Sequence, residues 1–207
     1  MPDGSRRFVV IRDLRDTLVS AYYSVKISHR PFEIAAMRRL RAELQELDEL
    51  AGMARMLDEW LPLNAEIQRS WLAAGPTERI VRYEDLIEDD EECFDELLRG
   101  HCGLRVSRLR LRRAVRRARF ERQTGGRPRG REDTSSHHRL GIVGDWRRAL
   151  PEPVLNDLER RFGTILTTGG YKLHRPESTA AGFGEAVRTP ERPRKESELE
   201  SDPTNRP

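Results

Sequence analysis

Arg12 and Ser20 are residue types that hold phosphates. A guanidinium presents a planar fork of N–H donors to an oxyanion, and a hydroxyl adds another donor. Arg12 closes the apolar run FVVI, Phe8 to Ile11, and Ser20 lies in the stretch that follows. If the run is a strand and the stretch a helix, both groups reach the helix amino terminus. Unpaired amides and the helix dipole already favour an anion there. A plainer reading stands beside this one, in which Arg12 pairs with Asp13 or Asp16 and Ser20 merely tolerates its helix. His137 and His138 are bases by type, but they sit in a polar loop and are read as solvated. Asp145, ahead of WRRAL, reads as a helix N-cap and Trp146 as a packed anchor.

The elements that must position these residues follow from periodicity. Four consecutive apolar residues predict a strand buried on both faces, and such a strand needs neighbours. Residues 16–29 are expected to be helical, with Asp16 placed to cap the first amides. Over 33–61 the residues Met37, Leu40, Leu44, Leu47, Ala51 and Ala54 recur at steps of three and four, which predicts a long amphipathic helix. A coiled-coil dimer built on that seam is one reading, and packing onto the same chain is the favoured one. A helix from Asn64 to Ala74, stopped by Gly75-Pro76, leads to a second strand, Arg79 to Tyr83, and an acidic helix start. A basic helix over 106–122 carries Leu109, Leu111, Val115 and Phe120. The segment TGGRPRGREDTSSHH is loop by composition, and RLGIVGDW and a helix from Val154 to Leu166 close the fold. Strand, helices, strand, helix is the rhythm of an α/β domain with parallel strands.

Composition sets further bounds. With 36% hydrophobic and 35% charged residues the 207-residue chain is lean in core material, so part of it is not expected to fold. The Pro-, Glu-, Ser- and Arg-rich segment 176–207 is the expected disordered tail, which leaves residues 6–175 as the domain. Charge is segregated rather than extreme. Arg105 to Arg131 is a dense arginine series, and Glu84 to Glu96 is as acidic. A basic stripe attracts polyanions, so nucleic-acid binding is weighed, and so is mutual neutralisation of the two runs as solvated helix faces. Cys93 and Cys102 form no CxxC pair and have no His at ligand spacing, so no metal site or disulfide scaffold is expected. Neither a membrane span nor a signal peptide is visible, and a cytoplasmic protein is expected.

Four segments, in order, carry a resemblance. RDLRDTLVSAYYS resembles the 3′-phosphate-binding segment of the cytosolic-type sulfotransferase family, whose pattern runs approximately RDPRDxxVSxYY. WLAAGPTERIVRYEDLIED is similar to that family's tryptophan-ended helix and YED strand. RARFERQTGG resembles its SFExM segment, and HHRLGIVGDW its RKGxxGDW motif. The resemblance implies an α/β fold with a partial P-loop-like nucleotide-binding domain. It also implies transfer of a sulfuryl group from 3′-phosphoadenosine 5′-phosphosulfate (PAPS) to a hydroxyl or amine of a small molecule or glycan, with no metal. By the same resemblance Arg12 and Ser20 hold the 3′-phosphate, and Arg139 with the backbone of Leu140 and Gly141 closes over it. Tyr83 sits by the adenine and Phe120 stacks near it. Left to themselves, Tyr83 and Phe120 read as packing aromatics and Gly141 and Gly144 as turn glycines.

The resemblance also marks departures. Leu14 stands where the family usually has Pro, and Leu140 where it has Lys. In the family the lysine-containing loop that grips the phosphosulfate, and the catalytic base, lie upstream of the arginine strand. This chain is therefore expected to be the C-terminal portion of such a domain, with no catalytic residue of its own, a weak grip on the nucleotide, or a need for a separate N-terminal piece. The alternatives are a nucleic-acid-binding protein using the Arg105–Arg131 stripe and a helix-mediated interaction protein built on 33–61.

Overall fold

A computed structural model of the chain describes residues 6–29, 34–74 and 79–174. The expected tail, 176–207, and the Gly75-Pro76 helix stop lie outside these residues. Strand β1, Phe8–Ile11, pairs in parallel with β2, Arg79–Arg82, in a register running from Phe8 opposite Arg79 to Ile11 opposite Arg82. Parallel neighbours need a long crossover. Four helices supply it: α1 (Leu14–Tyr23), α2 (Ala35–Glu46), α3 (Glu49–Glu59) and α4 (Leu61–Ala73). The fold is α/β as expected, rich in helix around a small parallel sheet. Both strands finish at the same edge, so Arg12 and Tyr83 emerge side by side.

β1 departs from the expected double burial. Ile11 is buried, but Val10 is 43% exposed, because among the described residues β1 pairs with β2 alone. A groove of about 470 Å³ is lined by β1, Trp60, and Ile67 and Trp71 of α4.

The main core sits between α1, α3, α4 and a long helix near the end of the domain, Glu152–Thr168. Leu18, Met53, Met56, Leu61 and Leu158 are fully enclosed in it. Burying such a side chain contributes about 1.5–3 kcal/mol against the chain entropy of ordering it. The single helix expected over 33–61 breaks at Leu47–Asp48, where the Asp48 carboxylate accepts the Ala51 N–H at 2.8 Å and caps α3. An N-cap inside an apolar repeat ends one helix and starts the next without changing the repeat. Leu40 and Leu44 of the seam are buried in the same core as α1, so the seam is occupied within the chain.

After β2 come α5 (Tyr83–Glu88), α6 (Asp90–Asp95), α7 (Arg108–Ala118), α8 (Phe120–Gln123), α9 (Trp146–Ala149) and α10 (Glu152–Thr168). The basic helix expected over 106–122 is interrupted at Arg119, whose ψ of 148° is not helical. The acidic and basic runs meet. Asp95 accepts Arg108 at 2.9 Å, Glu91 accepts Arg116 at 2.6 Å and Asp90 accepts Arg119 at 2.6 Å.

Candidate functional site

The turn from β1 into α1 rests on a buried ion cluster. Asp13, with ψ of 120°, is the true N-cap of α1, accepting the Arg15 N–H at 2.9 Å. Its other oxygen accepts Arg15 Nη2 at 2.6 Å. Arg15 is 2% exposed, bonds Glu159 at 2.7 Å and the Lys172 carbonyl at 3.0 Å, and lies 3.9 Å from the centre of the Trp146 ring. Trp146 is thus a packed anchor, as expected. The expectation for Asp16 is corrected. Asp16 stands one turn too far along to cap, and its buried carboxylate reaches across the fold to accept the N–H groups of Gly144 at 2.5 Å and Trp146 at 2.9 Å. Burial holds this carboxyl above the usual carboxylate range, against the opposing pull of the two N–H groups.

With Asp13 held by Arg15 and Asp16 by backbone, Arg12 forms no ion pair with either among the described residues, so the plainer reading of Arg12 does not hold. Its backbone N–H donates to Gln68 Oε1 at 3.3 Å, and its guanidinium lies 4.8 Å from the centre of the Tyr83 ring. The Nε atom is buried and meets no acceptor among the described residues. Gln68 Nε2 is in the same condition. A buried donor without an acceptor is costly, and an oxyanion would satisfy it.

Arg139 faces the same space from the other side. Its guanidinium lies 4.3 Å from the centre of the Tyr23 ring and donates to both Glu132 and Asp145. Asp145 therefore does not cap α9 with its side chain; its carboxylate binds Arg139 and, at 3.1 Å, Arg148. The reason is local, since α9 spans a single turn and two guanidinium groups compete for the carboxylate. Of the two expected phosphate-binding arginines, Arg12 bonds no carboxylate among the described residues, though its charge acts on Asp16, and Arg139 is already paired.

Gly141 has φ of +69°, and a Cβ there would stand 2.6 and 2.7 Å from Cε2 and Cγ of Phe120. Only glycine lets this loop lie against the Phe120 ring. Leu140 is buried, and its carbonyl accepts the Gly130 N–H at 2.8 Å. The structure brings all seven expected residues, Arg12, Ser20, Tyr83, Phe120, Arg139, Leu140 and Gly141, to the wall of one cleft of about 230 Å³. An adjoining cavity of about 330 Å³ is bounded by Tyr83, Leu86, Phe94, Val115 and Phe120. Tyr83 and Phe120 stand between the two. His137 and His138 lie exposed at the cleft, their ring centres 5.7 Å apart.

Three contributors escape a reading of the sequence: Gln68, Asp16 in its real role, and Tyr23 beneath Arg139. Gln68 had a signal. It is a polar residue on the inward stripe Leu61, Ala65, Gln68 and Leu72 of α4, where an amide is buried only with a task.

The fold and the cleft define an α/β protein whose parallel strands end on a cleft walled by two arginines and aromatic faces. That is where open parallel sheets hold ligands. Comparison with protein families matches residues 6–174 to the sulfotransferase domain, and the chain belongs to that family. A search of curated proteins finds no match to this chain.

Proposed function

We propose that the cleft holds the 3′-phosphoadenosine end of PAPS and that the chain serves sulfuryl transfer to a hydroxyl or amine of a small-molecule or glycan acceptor. The observation that carries this reading is Arg12, with its buried Nε unmet, its guanidinium over Tyr83, and its place at the shared edge of two parallel strands. In this reading Arg12 and Ser20 bind the 3′-phosphate, and Arg139 and the backbone of Leu140 and Gly141 close the opposite wall. Tyr83 and Phe120 present aromatic faces to the adenine, which the adjoining cavity accommodates. Bound there, PAPS supplies an activated sulfuryl group whose bond to a phosphate oxygen breaks as the acceptor oxygen or nitrogen bonds to sulfur. A charge-assisted bond of the Arg12 kind contributes about 1.5–3 kcal/mol.

None of the seven residues grips the phosphosulfate end or removes the acceptor's proton. Among the described residues neither strand runs into a glycine-lysine loop, since β1 continues into Arg12-Asp13 and β2 into Tyr83. The reading assigns that grip to a further element, in this polypeptide or in a separate piece, pairing along the open edge of β1. Among the described residues no helix is long and apolar enough to cross a membrane, and the reading keeps a cytoplasmic setting.

Calorimetric titration with adenosine 3′,5′-bisphosphate, beside the Arg12→Ala variant, tests the assignment. Saturable binding that weakens roughly 10- to 150-fold in the variant is expected. Absence of binding by a folded chain, or equal binding by both, would overturn it.

A further inference from the structure

The ionised groups that line the nucleotide cleft cancel. Among the described residues its wall holds two guanidinium groups, Arg12 and Arg139, and two carboxylates, Asp16 and Asp145. Arg139 is bound to Asp145 and to Glu132, so the wall opposite Arg12 has no cation to spare. Two further titratable side chains line the cleft, His137 and His138, and the proposed function leaves both unused. Their rings are exposed at the rim, with centres 5.7 Å apart. The His137 ring also stands edge-on to His29 at 6.4 Å, where the helical stretch that continues α1 ends. The His138 ring stands edge-on to Phe120 at 6.4 Å, on the wall shared with the adjoining cavity. Across that cavity Arg119 is bound to Asp90, and Arg129 lies 3.5 Å from Glu121. Arg127 donates to the His138 carbonyl, and Tyr23, beneath Arg139, donates its hydroxyl to Glu49. Among the described residues no carboxylate holds the proton of either imidazole.

We propose that His137 and His138 bind the 3′-phosphate in their protonated form, so that the cleft takes up a proton with its nucleotide and holds it more tightly below neutral pH. The proposal rests on the reading of the cleft as a 3′-phosphoadenosine site. Imidazole changes charge between about pH 5 and pH 8. Protonated, each ring donates from both nitrogens and adds a positive charge to a wall that otherwise sums to zero. A second proton on the pair is opposed by the first, since the ring centres are 5.7 Å apart, and a dianion between them relieves that repulsion. Linkage is reciprocal: an anion that favours the protonated rings is itself held more tightly once they are protonated.

The test is calorimetric titration of the full chain with adenosine 3′,5′-bisphosphate at about pH 6 and about pH 8, beside the double variant His137→Asn, His138→Asn. The phosphates of the ligand also gain protons in acid, so the two proteins are compared at the same pH. Their affinities should agree within about twofold at the higher pH, and the wild type should bind at least about tenfold more tightly at the lower one. In buffers of different ionisation enthalpy the wild type should also take up more protons on binding than the variant. His101→Asn removes an imidazole that bonds the Arg7 carbonyl and does not line the cleft, and it should behave as the wild type. If the double variant does not fold, His137→Asn alone should weaken binding about threefold at the lower pH. Equal pH dependence in the wild type and the double variant would place the proton on another group, such as the Asp16 carboxyl, and overturn the assignment. Arg12→Ala at the higher pH separates the two readings. Binding that needs Arg12 but shows that equal pH dependence defeats the histidines alone, whereas binding indifferent to Arg12 defeats the nucleotide reading and this inference with it.

Discussion

The guanidinium of Arg12 lies 4.8 Å from the centre of the Tyr83 ring, joining residues 71 positions apart at one edge of the sheet. The contact follows from the parallel register. Ile11 stands opposite Arg82, so the next residue on each strand emerges at the same edge. Tyr83 then acts twice in the proposed reading, as a support for the Arg12 cation and as a face for the base.

Tyr83→Leu should therefore weaken adenosine 3′,5′-bisphosphate binding about 2- to 5-fold, the value of an exposed cation–π contact. Tyr83→Phe should retain the native affinity, since the quadrupole survives. Calorimetry on both variants separates the ring from the hydroxyl, and an unchanged Tyr83→Leu would remove Tyr83 from the site.

Asp16→Asn should lower stability by about 1–3 kcal/mol in urea, because Gly144 and Trp146 donate to different oxygens of Asp16 and asparagine keeps one acceptor while turning an NH2 donor against the other N–H. The cleft should suffer as well, because those bonds seat the loop that carries Arg139 and Gly141. A variant with native stability and native nucleotide affinity would contradict the role given to Asp16.

Arg15→Met should cost about 3–5 kcal/mol, since it leaves the enclosed Asp13 and Glu159 carboxylates without their shared cation. Adding Asp13→Asn to it should recover part of the loss by removing one uncompensated charge. Denaturant midpoints of the single and double variants decide this, and a double variant less stable than the single one would rule out the ion-cluster account.

Gly141→Ala should destabilise by more than Gly103→Ala. Both glycines have φ of +69°, and alanine in that region costs about 1–2 kcal/mol. Only at Gly141 does a Cβ meet the Phe120 ring; at Gly103 nothing lies within 4 Å. The difference between the two melting temperatures reads the ring contact alone, and Gly141→Ala should also weaken nucleotide binding.

The pairing of α6 with α7 should loosen in acid. Hydrogen bonds from Arg119, Arg116 and Arg108 hold the carboxyls of Asp90, Glu91 and Asp95 below their ordinary values. Groups with depressed folded values contribute stability that is present above their unfolded values, about 4, and lost as pH falls through the folded ones. Amide exchange in α7 should therefore accelerate below about pH 4, and less so in high salt, where the pairs are already screened. Exchange that is independent of pH, once corrected for the intrinsic rate, would deny the pairs any part in holding α7.

The residues of the cleft were legible as types and as an ordered set. Arg12, Ser20, Tyr83, Phe120, Arg139, Leu140 and Gly141 could be named in advance because motif spacing survives in the linear chain. Their present partners were not legible. Arg139 already holds Glu132 and Asp145, and Gln68 reaches Arg12 from a helix that reads as plain packing. The breaks at Asp48 and Arg119 were missed for a related reason. An apolar repeat continues through a cap, and only the backbone shows the stop.

By itself the sequence determined the α/β class, the presence of most helices and the family. These rest on signals a few residues long: apolar periodicity, capping residues and motif spacing. Tertiary structure alone decided that Asp13 and not Asp16 caps α1, that the open edge of β1 faces a groove, and that the arginine series turns one face to the acidic run. Each is a choice among several available partners for the same charge or backbone group. The choice depends on burial and on distances across the fold, which no local pattern carries.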